Sequence, residues 1–123
     1  MKTSILSFLI LASSTTAHAA MLDMNCADSA GRYLLLQPYQ GRQAISFVEN
    51  GKEIILDNVS APLSELNDDK GYLASNKSGD AAHVIVNIAT MLRGVTNNAS
   101  AWGQILTSDG RLIQLNEFKC TSN

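Results

Sequence analysis

Apolar and polar positions along this chain divide into short stretches of strand pattern, and the strongest local signal is the hairpin around Glu49-Asn50-Gly51-Lys52. Asn-Gly tolerates the positive φ angles of a two-residue type I′ turn, whose twist matches that of the flanking strands. That turn sets Phe47 opposite Ile54 and Ile45 opposite Leu56, which makes one apolar face. The other face carries Ala44, Ser46, Glu53 and Asp57 beside Val48 and Ile55, the pattern of an antiparallel sheet with one buried side. A second hairpin is predicted around Ser108-Asp109-Gly110. A three-residue loop with Gly110 in the left-handed region aligns Ile105 with Ile113 and Leu106 with Leu112. A two-residue Asp-Gly turn pairs Ile105 with Gln114 instead, and the first register is preferred because it matches like with like.

Further strands are predicted over 32–37, 72–75 and 82–91. In the last, Val84, Val86 and Ile88 fall on one face and His83, Ile85 and Asn87 on the other. Residues 64–69, after Pro62, suit a single helical turn. Seven or so short strands separated by Gly, Asn, Asp and Pro clusters define an all-β class, a small antiparallel barrel or sandwich. No internal repeat, low-complexity tract or linker divides the chain, so one domain is expected over 20–123.

The N-terminus changes the picture. Lys2, an apolar stretch over 5–12 and the small-residue motif Ala17-His18-Ala19 read as a signal peptide over 1–19. Export to the periplasm or the medium follows. The apolar stretch falls short of the roughly 20 residues a span requires, so no membrane span is expected. Beyond the signal, Cys26 and Cys120 bracket the domain. In an oxidising compartment such a pair is expected to close into a disulfide, fastening the first strand to the last at an otherwise open sheet edge. Catalytic cysteines usually sit close together, so a redox role for this widely spaced pair is disfavoured. Beyond residue 19 the eight Lys and Arg and eleven Asp and Glu are interspersed, with no basic cluster to suit nucleic acid or an anionic membrane.

Candidate chemistry is sparse. His83 is the single histidine beyond the signal, too few ligands for tetrahedral zinc. Asp68, Asp69 and Asp80 are conceivable calcium ligands without EF-hand spacing, so neither metal nor cofactor is expected. A Ser-His-Asp arrangement would need His83 with Ser75 or Ser78, and no G-x-S-x-G elbow is present. The expectation is a surface histidine and no enzymatic activity. Asn58, Asn76 and Asn98 each begin an Asn-x-Ser triplet, which would mark an exposed loop in a eukaryotic host. Trp102 and Tyr72 suit stacking on sugar rings, but a lone Trp in a small β domain belongs more naturally in the core, where Trp102 is assigned.

The polar, Gly-punctuated stretch 68–80 has the composition of a recognition segment on a stiff scaffold, with 93–100 and its Arg93 as a second candidate. The layout resembles the periplasmic and membrane-bound inhibitors of c-type lysozyme. Its points of contact are Cys26-Ala27-Asp28, the Gly-containing hairpin before Ile54-Ile55-Leu56, Asp109-Gly110 ahead of Cys120, and Tyr72 followed by Lys77-Ser78-Gly79-Asp80. The resemblance implies a small exported β-barrel whose Ser- and Lys-bearing loop enters the lysozyme cleft. Here the family's Trp between Tyr and Lys is missing, the spacing is shorter, and either Ser75 or Ser78 stands for its serine. The implied partner is a lysozyme-like protein, met by Tyr72, Ser75, Lys77, Ser78 and Asp80. The alternatives are a small-ligand carrier with a hollow barrel and an envelope protein that pairs through a strand edge.

Overall fold

The computed structural model describes residues 22–60, 69–88 and 98–123. Among the described residues, nine strands form one antiparallel sheet: β1 (Met24–Ala27), β2 (Tyr33–Tyr39), β3 (Arg42–Glu49), β4 (Lys52–Leu56), β5 (Asn58–Val59), β6 (Asp69–Ser75), β7 (Ala81–Asn87), β8 (Asn98–Leu106) and β9 (Leu112–Ser122). Their spatial order is β4-β3-β2-β1-β9-β8-β7-β6-β5. The two outermost strands of that order are consecutive in the chain, with only Asp57 between them. One bent strand thus pairs first with β3 and then with β6, and the sheet curls into a nearly closed barrel. The predicted barrel is present, with more strands than expected because β1 and β5 are short pieces of four and two residues that the alternation does not isolate.

The hairpin registers match the sequence reading. Phe47 opposes Ile54 and Ile45 opposes Leu56, with Asn50 and Gly51 both at positive φ, 53° and 76°. Ile105 opposes Ile113 and Leu106 opposes Leu112, and Gly110 has φ 91°. Val84, Val86 and Ile88 are buried as predicted and His83 is exposed. Residues 89–91 of the predicted 82–91 strand lie outside the described residues, as do 64–68 of the predicted helical turn and 93–97 of the second recognition segment. Asp69 opens β6, and no helix occurs among the described residues, so none is long and apolar enough to cross a membrane.

Alternate side chains of the strands fill the interior. Phe47, Phe118, Met24, Leu34, Leu36 and Leu115 are fully buried. Ala74, Ala82, Ala99 and Ala101 enter the same core beside the larger Tyr72, Val84, Val86 and Ile105 of β6–β8, a mixture of small and large groups that suits a narrow barrel. Cys26 sits directly opposite Cys120 and the two are bonded, both buried. The bond does not fasten an edge as expected. It joins β1 to β9 at the middle of the strand order, where the two ends of the described chain meet, while the seam lies between β4–β5 and β6.

Antiparallel pairing brings the β1–β2, β3–β4, β6–β7 and β8–β9 turns to one end of the barrel. That end is capped by an inward-facing ion pair. The Arg32 guanidinium lies 5.7 Å from the Phe47 ring centre and 5.6 Å from that of Phe118, and its Nε donates to Asp28 Oδ2 at 2.7 Å. Its Nη2 donates to the Gln114 carbonyl at 3.1 Å. Two aromatic faces and a carboxylate together offset the cost of taking the cation out of water.

Candidate functional site

The segment singled out by its composition is mostly strand. Residues 69–75 form β6, and only 76–80 make the turn to β7. Parity along β6 turns Tyr72 into the barrel, where it opposes Val84 at 3 % exposure. Tyr72 is therefore core and not a surface contact. Ser75, at the end of β6, is half-buried and its hydroxyl accepts from Asn58 Nδ2 at 3.3 Å. Lys77 and Ser78 are exposed at the tip.

Asp80 holds that tip in place. Its Oδ1 accepts from the Ser108 N–H at 2.7 Å and its Oδ2 from Asn76 Nδ2 at 2.9 Å. Asn76 returns the contact, its Oδ1 accepting from the Asp80 N–H at 3.0 Å. The same Asn76 amide donates to the Ile55 carbonyl at 2.9 Å, so it also spans the seam to β4. The Gly79 N–H donates to the Asn76 carbonyl at 3.3 Å. One short side-chain network therefore ties the 76–80 turn to the 107–111 turn and to β4, and leaves Lys77 and Ser78 outside it. A lysine on an immobilised turn forfeits less backbone freedom on binding than one on a free loop.

The neighbouring turns are held by carboxylates too. Within 107–111, the Thr107 hydroxyl donates to Asp109 and accepts from the Arg111 N–H at 2.9 Å. The Thr107 hydrogen bond, followed by one from the Arg111 backbone, holds the Asp109 carboxyl below its ordinary value. Arg111 also meets Glu49 across the barrel end at 3.5 Å. Burial pushes the Asp28 carboxyl up, but backbone and side-chain hydrogen bonds from Arg32, its charge, and the Ala30 N–H together hold it below its ordinary value.

Other constellations considered from the sequence are not brought together among the described residues. Asp69 and Asp80 lie at opposite ends of the β6–β7 hairpin, and Asp69 accepts from Asn87 Nδ2 at 2.6 Å. Asp68 lies outside the described residues, and Asp69 and Asp80 do not share a site. Asn58 belongs to β5 and Asn98 to β8, not to loops, and the Asn76 amide is consumed by the tip network. His83 sits opposite Leu73 on β6 and Gln104 on β8, on the outer surface.

Trp102 also departs from expectation. It is half-buried on the outer face, opposite Ile85, while its neighbour Ala101 is the residue that enters the core. The alternation of β8 explains this, since Ala99, Ala101 and Ile105 enter the core and Trp102 shares the outward parity of Gln104. On the partner strand Ala101 pairs with Phe118 but Gly103 with Leu115, so Asn116 and Glu117 both oppose Trp102 in a bulge on β9. Gly103 adopts φ 145°, and a Cβ there would lie 2.0 Å from the His83 carbonyl oxygen. Sequence reasoning missed the clamp residues Asn76 and Ser108 and the outward Trp. Gly103, one residue after Trp102, was the only signal of a bulge. Comparison with family models, curated proteins and solved structures finds no match.

Proposed function

We propose that this chain is an exported, non-enzymatic binding protein that acts through the 76–80 tip, most concretely as an inhibitor of a lysozyme-like cell-wall hydrolase. The observation that carries the reading is an exposed Lys77 and Ser78 on a turn pinned by Asp80, Ser108 and Asn76. In an acidic catalytic cleft, Lys77 would donate charge-assisted hydrogen bonds to a desolvated carboxylate and compete with substrate for it. Ser78, rather than the hydrogen-bonded Ser75, is the serine free to accompany it. Asp80 orients the tip instead of touching the partner.

The Cys26–Cys120 disulfide accords with an oxidising compartment. The signal over 1–19 accords with the periplasm or the medium as the site of action. The interior, filled by Phe47, Phe118, Met24 and several leucines, favours surface recognition over an enclosed ligand. Purified protein starting at residue 20 should slow lysis of bacterial cell walls by a c-type lysozyme in a dose-dependent manner. Absence of inhibition against c-, g- and i-type lysozymes alike would reject the hydrolase partner.

A further inference from the structure

A second surface, on the barrel wall and away from the tip, has the make-up of a ligand site. The bulge on β9 opens a shallow trough of about 360 Å³ beside β8, lined by His83, Trp102, Gln104, Gln114, Asn116 and Glu117. Gly103 forms part of its wall, where no side chain fits. His83, Gln104 and Gln114 form one cross-strand row. The next row holds Trp102 opposite Ile85, with Asn116 and Glu117 facing it from the bulge.

Within the other strands and at the β6–β7 turn, several side-chain amides are spent on the fold, while those of Gln40 and Asn50, exposed at hairpin turns, are not. Gln37 donates to Asn25, Gln43 to the Leu22 carbonyl, Asn76 to Asp80, Asn87 to Asp69 and Asn123 to Asp23. In the trough, the side chains of Gln104, Gln114 and Asn116 make no hydrogen bond among the described residues, nor does the Glu117 carboxylate or the His83 ring. Three amides, each able to donate and to accept, thus converge beside the chain's only indole.

We propose that this trough binds a neutral oligosaccharide, with one pyranose ring laid on Trp102 and its hydroxyls held by Gln104, Gln114, Asn116 and Glu117. A pyranose presents apolar C–H groups to an aromatic face and a rim of hydroxyls that both donate and accept. The trough offers the complementary set, an amphipathic aromatic ring beside amides and one carboxylate acceptor. The assignment stands apart from the Lys77 reading, because no trough residue belongs to the tip network.

Trp102, as the sole tryptophan, reports on the site directly. Protein starting at residue 20, with its disulfide intact, is titrated with tri-N-acetylchitotriose, cellotriose and maltotriose while tryptophan emission and backbone amide NMR shifts are followed. At least one trisaccharide should give saturable amide shifts centred on 102–104 and 114–117. The double variant Gln104→Ala/Gln114→Ala, unchanged in thermal midpoint, should weaken that binding by about tenfold or more, as expected for the loss of two hydrogen bonds. Trisaccharide binding that is unaltered in the double variant, shifts that map elsewhere, or no saturable response to any of the three would overturn the proposal.

Discussion

Two hairpin tips at the same end of the barrel are built on different principles. The β3–β4 tip is a backbone solution: Asn50 and Gly51 adopt φ 53° and 76°, and the turn needs no more than two residues that tolerate this. The β6–β7 tip is a side-chain solution, in which Asn76 and Asp80 bind each other, the Ser108 N–H and the Ile55 carbonyl. Both tips carry an exposed lysine, Lys52 on one and Lys77 on the other. The second is fastened to other parts of the barrel by hydrogen bonds from its own turn side chains, whereas the first meets the 107–111 turn only through the Glu49–Arg111 ion pair at 3.5 Å, whose arginine is largely exposed. A turn made by backbone preference alone closes a hairpin, whereas a turn cross-linked to its neighbours fixes what it displays relative to the whole domain.

The largest perturbation should erase the distinction by weakening the barrel under both tips. Replacing Cys26 and Cys120 by Ser removes a link across 94 residues, which contributes roughly 4–5 kcal/mol in the chain-entropy model. The thermal midpoint should fall by well over 5 °C, on the scale of about 4–8 °C per kcal/mol for a domain this size. Amide exchange should rise at both tips together. Loss of protection confined to one tip would mean that the disulfide acts locally.

Asp80→Ala should separate the tips. It deletes two carboxylate hydrogen bonds, each worth about 1.5–3 kcal/mol when fully formed and less at this partly exposed site. Exchange should accelerate at 76–80 and at Ser108 while residues 49–52 keep their protection. Gly51→Val is the converse, placing a β-branched residue at positive φ at a cost of about 1–2 kcal/mol. It should loosen 49–52 and spare 76–80. Lys52→Ala, at an exposed site, should stay within about 0.5 kcal/mol of the parent.

Acid gives the smallest and most selective effect. Asp28 and Asp109 have lowered pKa values in the folded state. Their stabilising contribution is complete above the unfolded carboxylate value, near 3.9, and fades as pH falls through the folded values. Below about pH 4, amide exchange corrected for its intrinsic pH dependence should rise first at 28–32 and 107–111, with 50–51 unaffected. Asp28→Asn should flatten the acid limb of the thermal midpoint against pH. An unchanged limb would remove Asp28 from the account.

What was legible in the sequence follows the same division. The Asn50-Gly51 turn, both hairpin registers and the buried face of β7 were readable because period-two alternation and local φ preferences are properties of neighbouring residues. Tyr72 was misplaced because composition alone marked a polar segment, although its parity with Ala74 turns it inward. Trp102 was misplaced because residue type alone assigned a lone Trp to the core, although its parity with Gln104, opposite to that of Ala101 and Ile105, turns it outward. The Asn76–Asp80–Ser108 clamp joins residues 28 positions apart, and nothing local announces it. The position of Cys26–Cys120 at the centre of the strand order likewise depends on how the barrel closes.

The most direct test compares the two lysines as ligands. Lysis of cell walls by a c-type lysozyme is measured against the parent protein, Lys77→Ala and Lys52→Ala, with thermal midpoints recorded for each. Truncating one partner of a buried interface charge pair costs about 2–5 kcal/mol, so Lys77→Ala should weaken inhibition by at least about tenfold at an unchanged midpoint. Lys52→Ala should inhibit like the parent. Equal inhibition by all three proteins, or a greater loss from Lys52→Ala, would contradict the assignment of binding to the clamped tip.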